Sequence, residues 1–126
     1  MPLEIKISKK TDYTYVVDLA GSLDSDTHQQ LDQELDEIIG QETKAVVLDM
    51  RGVIYISSIG IGLVMKTKKA LQGMGATFAM IGLQPQIKKV FDAMKILPIF
   101  DIFDDMPEAD KYIDQIIKEE LGKGRS

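Results

Sequence analysis

Two adjacent serines, Ser57 and Ser58, are the residues of this chain whose type and position best suit chemistry. They lie in the stretch IYISSIGIGLVMK, residues 54–66, between an apolar run and a segment with helical spacing, and Gly60 and Gly62 follow them. A serine before a helix can accept a hydrogen bond from an unpaired N–H group of the first turn. It can also carry a phosphate, which the helix N-terminus would stabilise. The residue types leave both roles open.

Other polar residues offer weaker candidates for a catalytic or metal site. His28 is the single histidine, so a zinc site or a catalytic triad built on it is not expected, and a solvated surface position is the simpler interpretation. Asp24 and Asp26 precede the same predicted helix, where carboxylates favour the positive end of the helix dipole. The absence of cysteine excludes disulfides, thiolate zinc sites and cysteine nucleophiles.

Two glycine pairs could suggest nucleotide-binding loops. Neither Gly60–Gly62 nor Gly73–Gly75 continues to the third glycine of a dinucleotide fingerprint, since Met65 and Phe78 stand at those places. Lys66, Lys68 and Lys69 predict a solvated helix face or a contact for a partner. We therefore expect no enzyme activity, no catalytic residue, no cofactor and no metal.

Composition excludes several other classes of function. The net charge of −5 argues against a protein that binds nucleic acid directly. No apolar run approaches the roughly 18 residues of a membrane span, and the N-terminus lacks the pattern of a signal peptide. A cytoplasmic protein without membrane contact is expected.

Hydrophobic periodicity predicts one α/β domain. Two short strands at the N-terminus, joined by a polar turn, favour an antiparallel hairpin, and strands then alternate with helices, which indicates a mainly parallel sheet. Residues 45–50 form a continuous apolar run and predict a strand buried on both faces. The predicted strands cover residues 3–7, 14–21, 45–50 and 76–82, and residues 99–103 are predicted as a short strand or an extended link. The predicted helices cover residues 24–40, 58–74, 84–95 and 106–122.

Three motifs in order resemble the STAS domain of bacterial anti-sigma factor antagonists. LAGSLDSDTHQQL is similar to the family's G-x-L-D segment before a helix, KAVVLDMRGVIYISSIGIGLV to its strand, D-S-S/T-G-L-G loop and helix, and GATFAMIGLQPQIKKVFDAMKI to its next strand, loop and third helix. The resemblance extends over residues 3–118. It implies one STAS domain over residues 1–121, with a mixed, mostly parallel sheet of about five strands and about four helices, and a flexible tail over residues 122–126.

The resemblance also implies a function and a site. Members of the family bind an anti-sigma factor with serine-kinase activity, which phosphorylates the serine after the loop's Asp, and a PP2C-type phosphatase restores it. Ser58 matches that serine, whereas Ser57 stands where the family has Asp and Ile59 where it has a second Ser or Thr. We expect Ser58 to be both helix cap and phosphate acceptor, with Ser57 as the second candidate acceptor. The residues expected to contact the partner are Asp24, Ser57, Ser58, Ile59, Gly60, Gly62 and Met65.

Two alternatives keep the same fold. One is a scaffold subunit of a larger signalling complex in which Ser58 only caps the helix, and the altered position 57 motivates it. The other is a small-ligand or nucleotide-binding STAS domain whose glycines line a pocket. In each case a small acidic domain of this kind suits a monomer.

Overall fold

The computed structural model describes residues 2–40 and 42–123, and the side chains of these except at 121–123. Its strands are β1 (Leu3–Lys9), β2 (Thr14–Leu23), β3 (Ala45–Ile56), β4 (Thr77–Ile81) and β5 (Asp101–Phe103). Its helices are α1 (His28–Ile38), α2 (Ser58–Gly73), α3 (Pro85–Ala93) and α4 (Met106–Lys123), with a 3-10 turn at Leu97–Ile99 between α3 and β5.

The five strands form one mixed sheet in the order β1-β2-β3-β4-β5. The β1–β2 pair is antiparallel, whereas β2–β3, β3–β4 and β4–β5 are parallel. Helices α1, α2 and α3 connect successive parallel strands, as a parallel sheet requires. The predicted α/β class and the N-terminal hairpin are therefore confirmed.

The sheet buries both faces. Val46 and Leu48 of β3 pack in one cluster with apolar residues of α1, α2 and α3. Ala45 and Val47 of the same strand pack in a second cluster with α4. Three helices thus cover one face and α4 covers the other, which confirms that residues 45–50 are buried on both sides.

Strand β3 is six residues longer than the apolar run 45–50 predicts. Its pairing with β2 continues to Leu23 opposite Ile56, and the register shifts twice, between Asp18 and Ala20 and between Gly21 and Ser22. Each shift places an extra residue in β3, as in a β-bulge, so the alternation of inward and outward side chains is broken. A period-2 pattern cannot identify a strand through such shifts.

The segment 99–103, predicted as one extended piece, is divided. Pro98 lies in the 3-10 turn and has no N–H to donate, and the strand begins only at Asp101. At the other end of the domain, α4 continues through Lys123, so residues 122 and 123 of the predicted tail lie in the helix. Residues 124–126 of that tail lie outside the described residues.

Candidate functional site

Strands β2 and β3 end side by side at the carboxyl edge of the parallel sheet. Leu23 is paired with Ile56, and the Ser57 N–H donates to the Leu23 carbonyl at 2.9 Å. Helix α2 begins at the next residue, Ser58. Since parallel α/β sheets commonly place their sites at this edge, both serines and Asp24 lie where a site is expected.

Ser57, and not Ser58, is the N-cap of α2. Its backbone is extended (φ −93°, ψ 172°), its carbonyl accepts from the Ile61 N–H at 2.9 Å, and its Oγ accepts from the Gly60 N–H at 3.3 Å. The expectation that Ser58 caps the helix is wrong, because Ser58 is already the first helical residue. Ser and Asp are both favourable N-cap residues. Ser57 can therefore cap the helix at the position where anti-sigma factor antagonists resembling this chain have Asp, but without the negative charge of that Asp.

Ser58 lies in the first turn of α2 and is exposed, whereas Ser57 is half-buried. Ile59, the next residue, is 49% exposed. The first turn of a helix has N–H groups without intrahelical partners and a partial positive charge, which together favour an anion. A phosphate on Ser58 would therefore be compatible with a folded α2.

Asp24 follows β2 and is held in a tight turn. Its Oδ1 accepts from the Asp26 N–H at 3.0 Å and from Thr27 Oγ1 at 3.3 Å, and its own N–H donates to Thr27 Oγ1 at 3.0 Å. Thr27 Oγ1 in turn donates to the Ser22 carbonyl at 2.8 Å, which ties the turn to the end of β2. This network places a half-buried carboxylate beside the strand end that leads to the serines.

Gly60 and Gly62, near the start of α2, have different surroundings. A Cβ on Gly60 would lie 2.5 Å from the Leu23 carbonyl oxygen and 2.9 Å from Leu23 Cγ, so Gly60 is buried where α2 crosses the end of β2. Gly60 therefore serves this internal contact, although it was one of the residues expected to contact the partner. Gly62 is exposed, and a Cβ added to it would have no neighbouring atom within 4 Å, so it leaves an open area on α2. Met65, one turn further, is half-buried against the core.

Ile54 and Tyr55 belong to the same edge and were not predicted. They are 42% and 54% exposed, because the bulged end of β3 turns both side chains outward. Gln86 Nε2 donates to the Ile54 carbonyl at 3.3 Å, beyond the part of β3 that pairs with β4. The sequence GVIYI after Arg51 was the one local feature that could have drawn attention to these residues. An apolar run of this kind predicts burial, however, and not exposure. We call the residues Asp24, Ile54, Tyr55, Ser58, Ile59 and Gly62 the strand-end surface.

Arg51 lies in the bulged part of β3 and is bound to a buried carboxylate. Its Nη2 lies 2.6 Å from Asp49 Oδ2, and its Nε donates to Asp49 Oδ1 at 2.9 Å. These bonds raise the pKa of the Arg51 guanidinium above its ordinary value. Arg51 therefore neutralises Asp49.

The remaining candidates are not brought together with the serines into a catalytic group. His28 is half-buried at the start of α1, and within residues 2–40 and 42–123 no three His, Asp or Glu side chains are placed to hold a metal ion. Gly60 and Gly62 lie inside α2, and Gly73–Gly75 lie at its end, so neither pair forms a phosphate-binding loop. Lys66 pairs with Asp32 of α1 at 3.0 Å, whereas Lys68 lies 6.0 Å from the centre of the Phe100 ring. Across the same part of the chain, no helix has the length and hydrophobicity needed to cross a bilayer.

Comparison with solved structures shows the class of fold. An anti-sigma factor antagonist from Mycobacterium paratuberculosis superposes with a TM-score of 0.79 at 18% identity, over 89% of this chain and 94% of that one. The unphosphorylated form of the anti-sigma factor antagonist SpoIIAA superposes with a TM-score of 0.68 at 21% identity, over 90% of this chain and 97% of that one. At these identities the likeness establishes the fold.

Sequence comparison shows the family. The STAS domain model matches residues 5–109. BtrV of Bordetella bronchiseptica, named as a candidate anti-sigma factor antagonist, is 30% identical over 93 residues, which are 74% of this chain and 80% of that protein. The anti-sigma F factor antagonist of Paenibacillus polymyxa is 27% identical over 90 residues, 68% of this chain and 77% of that protein. The chain belongs to the STAS domain family.

Proposed function

We propose that this protein is an anti-sigma factor antagonist whose binding to an anti-sigma factor with serine-kinase activity is switched off by phosphorylation of Ser58. Membership of the STAS family and the name of the Paenibacillus polymyxa relative support the class of function. The structure of SpoIIAA in its phosphorylated form, which shares this fold with a TM-score of 0.69 at 22% identity, supports a phosphorylation switch in this class.

The observation that carries the proposal is the exposed Ser58 among exposed apolar side chains. Tyr55 and Ile59 flank the serine pair and are 54% and 49% exposed. Exposed apolar residues around a polar centre are typical of protein interaction sites. The unmodified strand-end surface therefore suits docking against a protein.

Phosphorylation would change the charge at the centre of that surface. A phosphoserine carries about −1.5 to −2 charges at neutral pH, and here it would adjoin the turn that holds Asp24. Burying such a charge in an interface without a matched partner is costly, and like charges repel. We expect the phosphate to weaken binding about fivefold to hundredfold, which corresponds to about 1–3 kcal/mol.

Ser58 is a better acceptor than Ser57. The Ser57 hydroxyl is half-buried and bound to the Gly60 N–H, so its modification would remove the helix cap. The Ser58 side chain is exposed and is not the cap. Under this proposal the protein acts in the cytoplasm as a kinase substrate and binding protein without catalytic activity of its own, and a PP2C-type phosphatase restores the serine.

Two serine variants test the switch. We expect Ser58→Asp to weaken binding to the anti-sigma kinase encoded in the same genome, and Ser58→Ala to preserve it, as measured by calorimetric titration. Incubation with that kinase and ATP should add one phosphate by intact-mass analysis, and fragmentation should locate it at Ser58.

Ser8→Asp is the matched charge control. Ser8 is exposed on β1, opposite Val16 and far along the hairpin from the carboxyl edge. Equal affinities for Ser58→Asp and Ser58→Ala would contradict the switch and favour a constitutive scaffold. Heat on titration with ATP or GTP alone, retained in both variants, would instead favour a nucleotide-binding domain.

A further inference from the structure

A second surface lies around the 3-10 turn between α3 and β5. Two grooves of about 240 and 270 Å³ flank it. The first has Ile99 of the turn beside Lys68 and Lys69 of α2, and the second has Leu97 of the turn beside Lys88, Lys89 and one acid, Asp92, of α3. Each groove thus combines an apolar residue of the turn with a pair of lysines, and Ile99 is 48% exposed.

The charge of this surface is opposite to that of the whole chain. Residues 58–100 contain six lysines and one aspartate, although the chain has a net charge of −5. Lys66 at the border is neutralised by Asp32 of α1. Among the residues that the structure describes, no ion pair joins Lys68, Lys69, Lys88 or Lys89 to an acid. An acidic partner would therefore find lysines available for pairing.

A further exposed lysine, Lys95, comes two residues before Leu97 and occupies a backbone position that favours glycine. Helix α3 ends with Lys95 in the left-handed region (φ 59°) and an Ile96 N–H bond to the Phe91 carbonyl at 3.1 Å. Helix α2 ends in the same way, with Gly75 (φ 73°) at the equivalent position. Glycine adopts this conformation without steric cost, whereas a residue with a Cβ does not. Lys95 thus places a positive charge close to the turn at a position where glycine would fit without cost.

We propose that Lys68, Lys69, Lys88, Lys89, Lys95 and Ile99 form a docking site for an acidic amphipathic segment of another protein, and we call these residues the lysine surface. An apolar side chain of the segment occupies a groove while its carboxylates pair with the lysines.

A second copy of this chain fits the lysine surface less well. Its acidic helix α1 exposes glutamine and carboxylate side chains, whereas its leucines Leu31 and Leu35 are buried. That helix therefore has no fully exposed apolar side chain to enter a groove. This inference does not depend on the role of Ser58.

The test is a titration of the ¹⁵N-labelled full chain with a synthetic helical peptide that has glutamates on one face and leucines at positions i, i+3, i+4 and i+7. We expect saturable shifts in residues 65–72 and 88–99, and an affinity that falls as salt is raised. The double variant Lys68→Glu/Lys69→Glu should lower the affinity roughly tenfold or more, since like charges then face each other. Lys95→Gly should lower it without lowering the melting temperature.

The matched control is Lys111→Glu/Lys118→Glu, which makes the same change of charge at exposed positions of α4. An equal loss of peptide affinity in both double variants would overturn the proposed site, because the change in net charge would then explain the loss. Shifts confined to residues 54–62, or no saturable shift at millimolar peptide, would overturn it as well. Binding to vesicles of phosphatidylglycerol and phosphatidylcholine without peptide binding would replace it with a membrane surface. If the protein self-associates in sedimentation experiments, and only Lys68→Glu/Lys69→Glu abolishes this, the partner at the lysine surface would be a second copy of this chain.

Discussion

Ser57 and Ser58 are neighbours with different physical roles. The backbone at Ser57 is extended, so its Oγ can turn back to the Gly60 N–H, whereas Ser58 has entered the helix and is exposed to solvent. Ser57 thus caps the start of α2, whereas Ser58 lies exposed in its first turn. The proposed switch therefore need not disturb the helix that presents it.

The capping role predicts different stability effects for the two serines. Ser57→Ala should lower the free energy of unfolding by about 1 kcal/mol, because an N–H group of the first turn loses its acceptor. Ser58→Ala should change it by less than about 0.5 kcal/mol, as is usual at exposed positions. Urea unfolding followed by circular dichroism measures both. A larger loss for Ser58→Ala than for Ser57→Ala would contradict the assignment of the cap.

Gly60 and Gly62 predict stability effects of opposite sign. Gly60→Ala forces a Cβ to within 2.5 Å of the Leu23 carbonyl oxygen, so α2 must shift from the end of β2 and stability should fall by about 1–3 kcal/mol or more. Gly62→Ala meets open space inside a helix and should raise stability by about 0.5–1 kcal/mol. Thermal unfolding of the two variants makes the comparison.

Partner binding separates the roles of the same glycines. If Gly62 lies in the docking surface, Gly62→Ala should be more stable and yet bind the anti-sigma kinase less well. Unchanged affinity would remove Gly62 from the strand-end surface without affecting the role of Ser58.

At the scale of elements, α4 is the helix that completes the domain. It is the last element of the described residues and packs on the face of the sheet opposite the other three helices, with Ala109 and Ile113 buried against β3 and β4. Tyr112 attaches it to β5, since its hydroxyl donates to Asp101 Oδ2 at 3.0 Å and its ring lies 5.2 Å from that of Phe103. The contact is made at the edge of the sheet.

The Tyr112 contact predicts a dependence on alkaline pH. Burial, together with the bond to Asp101, raises the pKa of the Tyr112 phenol above its ordinary value, because both favour the neutral form. The folded state therefore holds this proton more tightly than the unfolded state. The contribution to stability is full below about pH 10, the ordinary tyrosine pKa, and is lost as pH rises through the folded-state value.

Tyr112→Phe removes both the hydrogen bond and this dependence. We expect it to cost about 1 kcal/mol at pH 8, and the difference from the unmodified protein to shrink above pH 10. Urea unfolding of both proteins at the two pH values provides the measurement. A difference that stays constant or grows with pH would contradict the shifted phenol.

At the scale of the whole molecule, one sheet joins two clusters that lie on its opposite faces. Because alternate residues of β3 and β4 serve the two clusters, a loss of packing under α4 should also lower the stability of the side that presents Ser58. The chain should unfold in a single transition, as small domains usually do.

Ile113→Ala tests this coupling. Ile113 is 2% exposed, so its truncation should lower the free energy of unfolding by about 2–4 kcal/mol. Ile116→Ala, at a half-buried position of the same helix, should cost clearly less. Amide exchange in α2 should accelerate along with that in α4 in the Ile113 variant. Exchange in α2 that remained unchanged would show that the two faces unfold separately.

Charge is also distributed unevenly over the whole molecule. Residues 24–42 carry seven acids and no lysine or arginine, whereas residues 58–100 are basic. The net charge of −5 is a sum over surfaces of opposite sign, so it does not exclude an acidic partner. An interaction depends on the local charge.

Much of the architecture followed from the sequence by itself. The apolar run 45–50 identified the central strand because its side chains must be buried on both faces. The spacing of Leu31 and Leu35, and of Ile87 and Phe91, identified α1 and α3 because those residues share one helical face that packs on the core. The motifs around the serines pointed to the family and to this edge of the sheet. Such features depend on local periodicity, which can be read directly from the sequence.

Only the tertiary structure decided what each residue of the site does. The cap belongs to Ser57 because α2 begins at Ser58, one residue earlier than a cap at Ser58 would require, and Gly60 is required because Leu23, 37 positions earlier, lies against it. Ile54 and Tyr55 are exposed because the pairing with β2 is bulged there. Each of these outcomes depends on an atom that is distant in sequence and close in space, or on a strand register, and no local pattern encodes either.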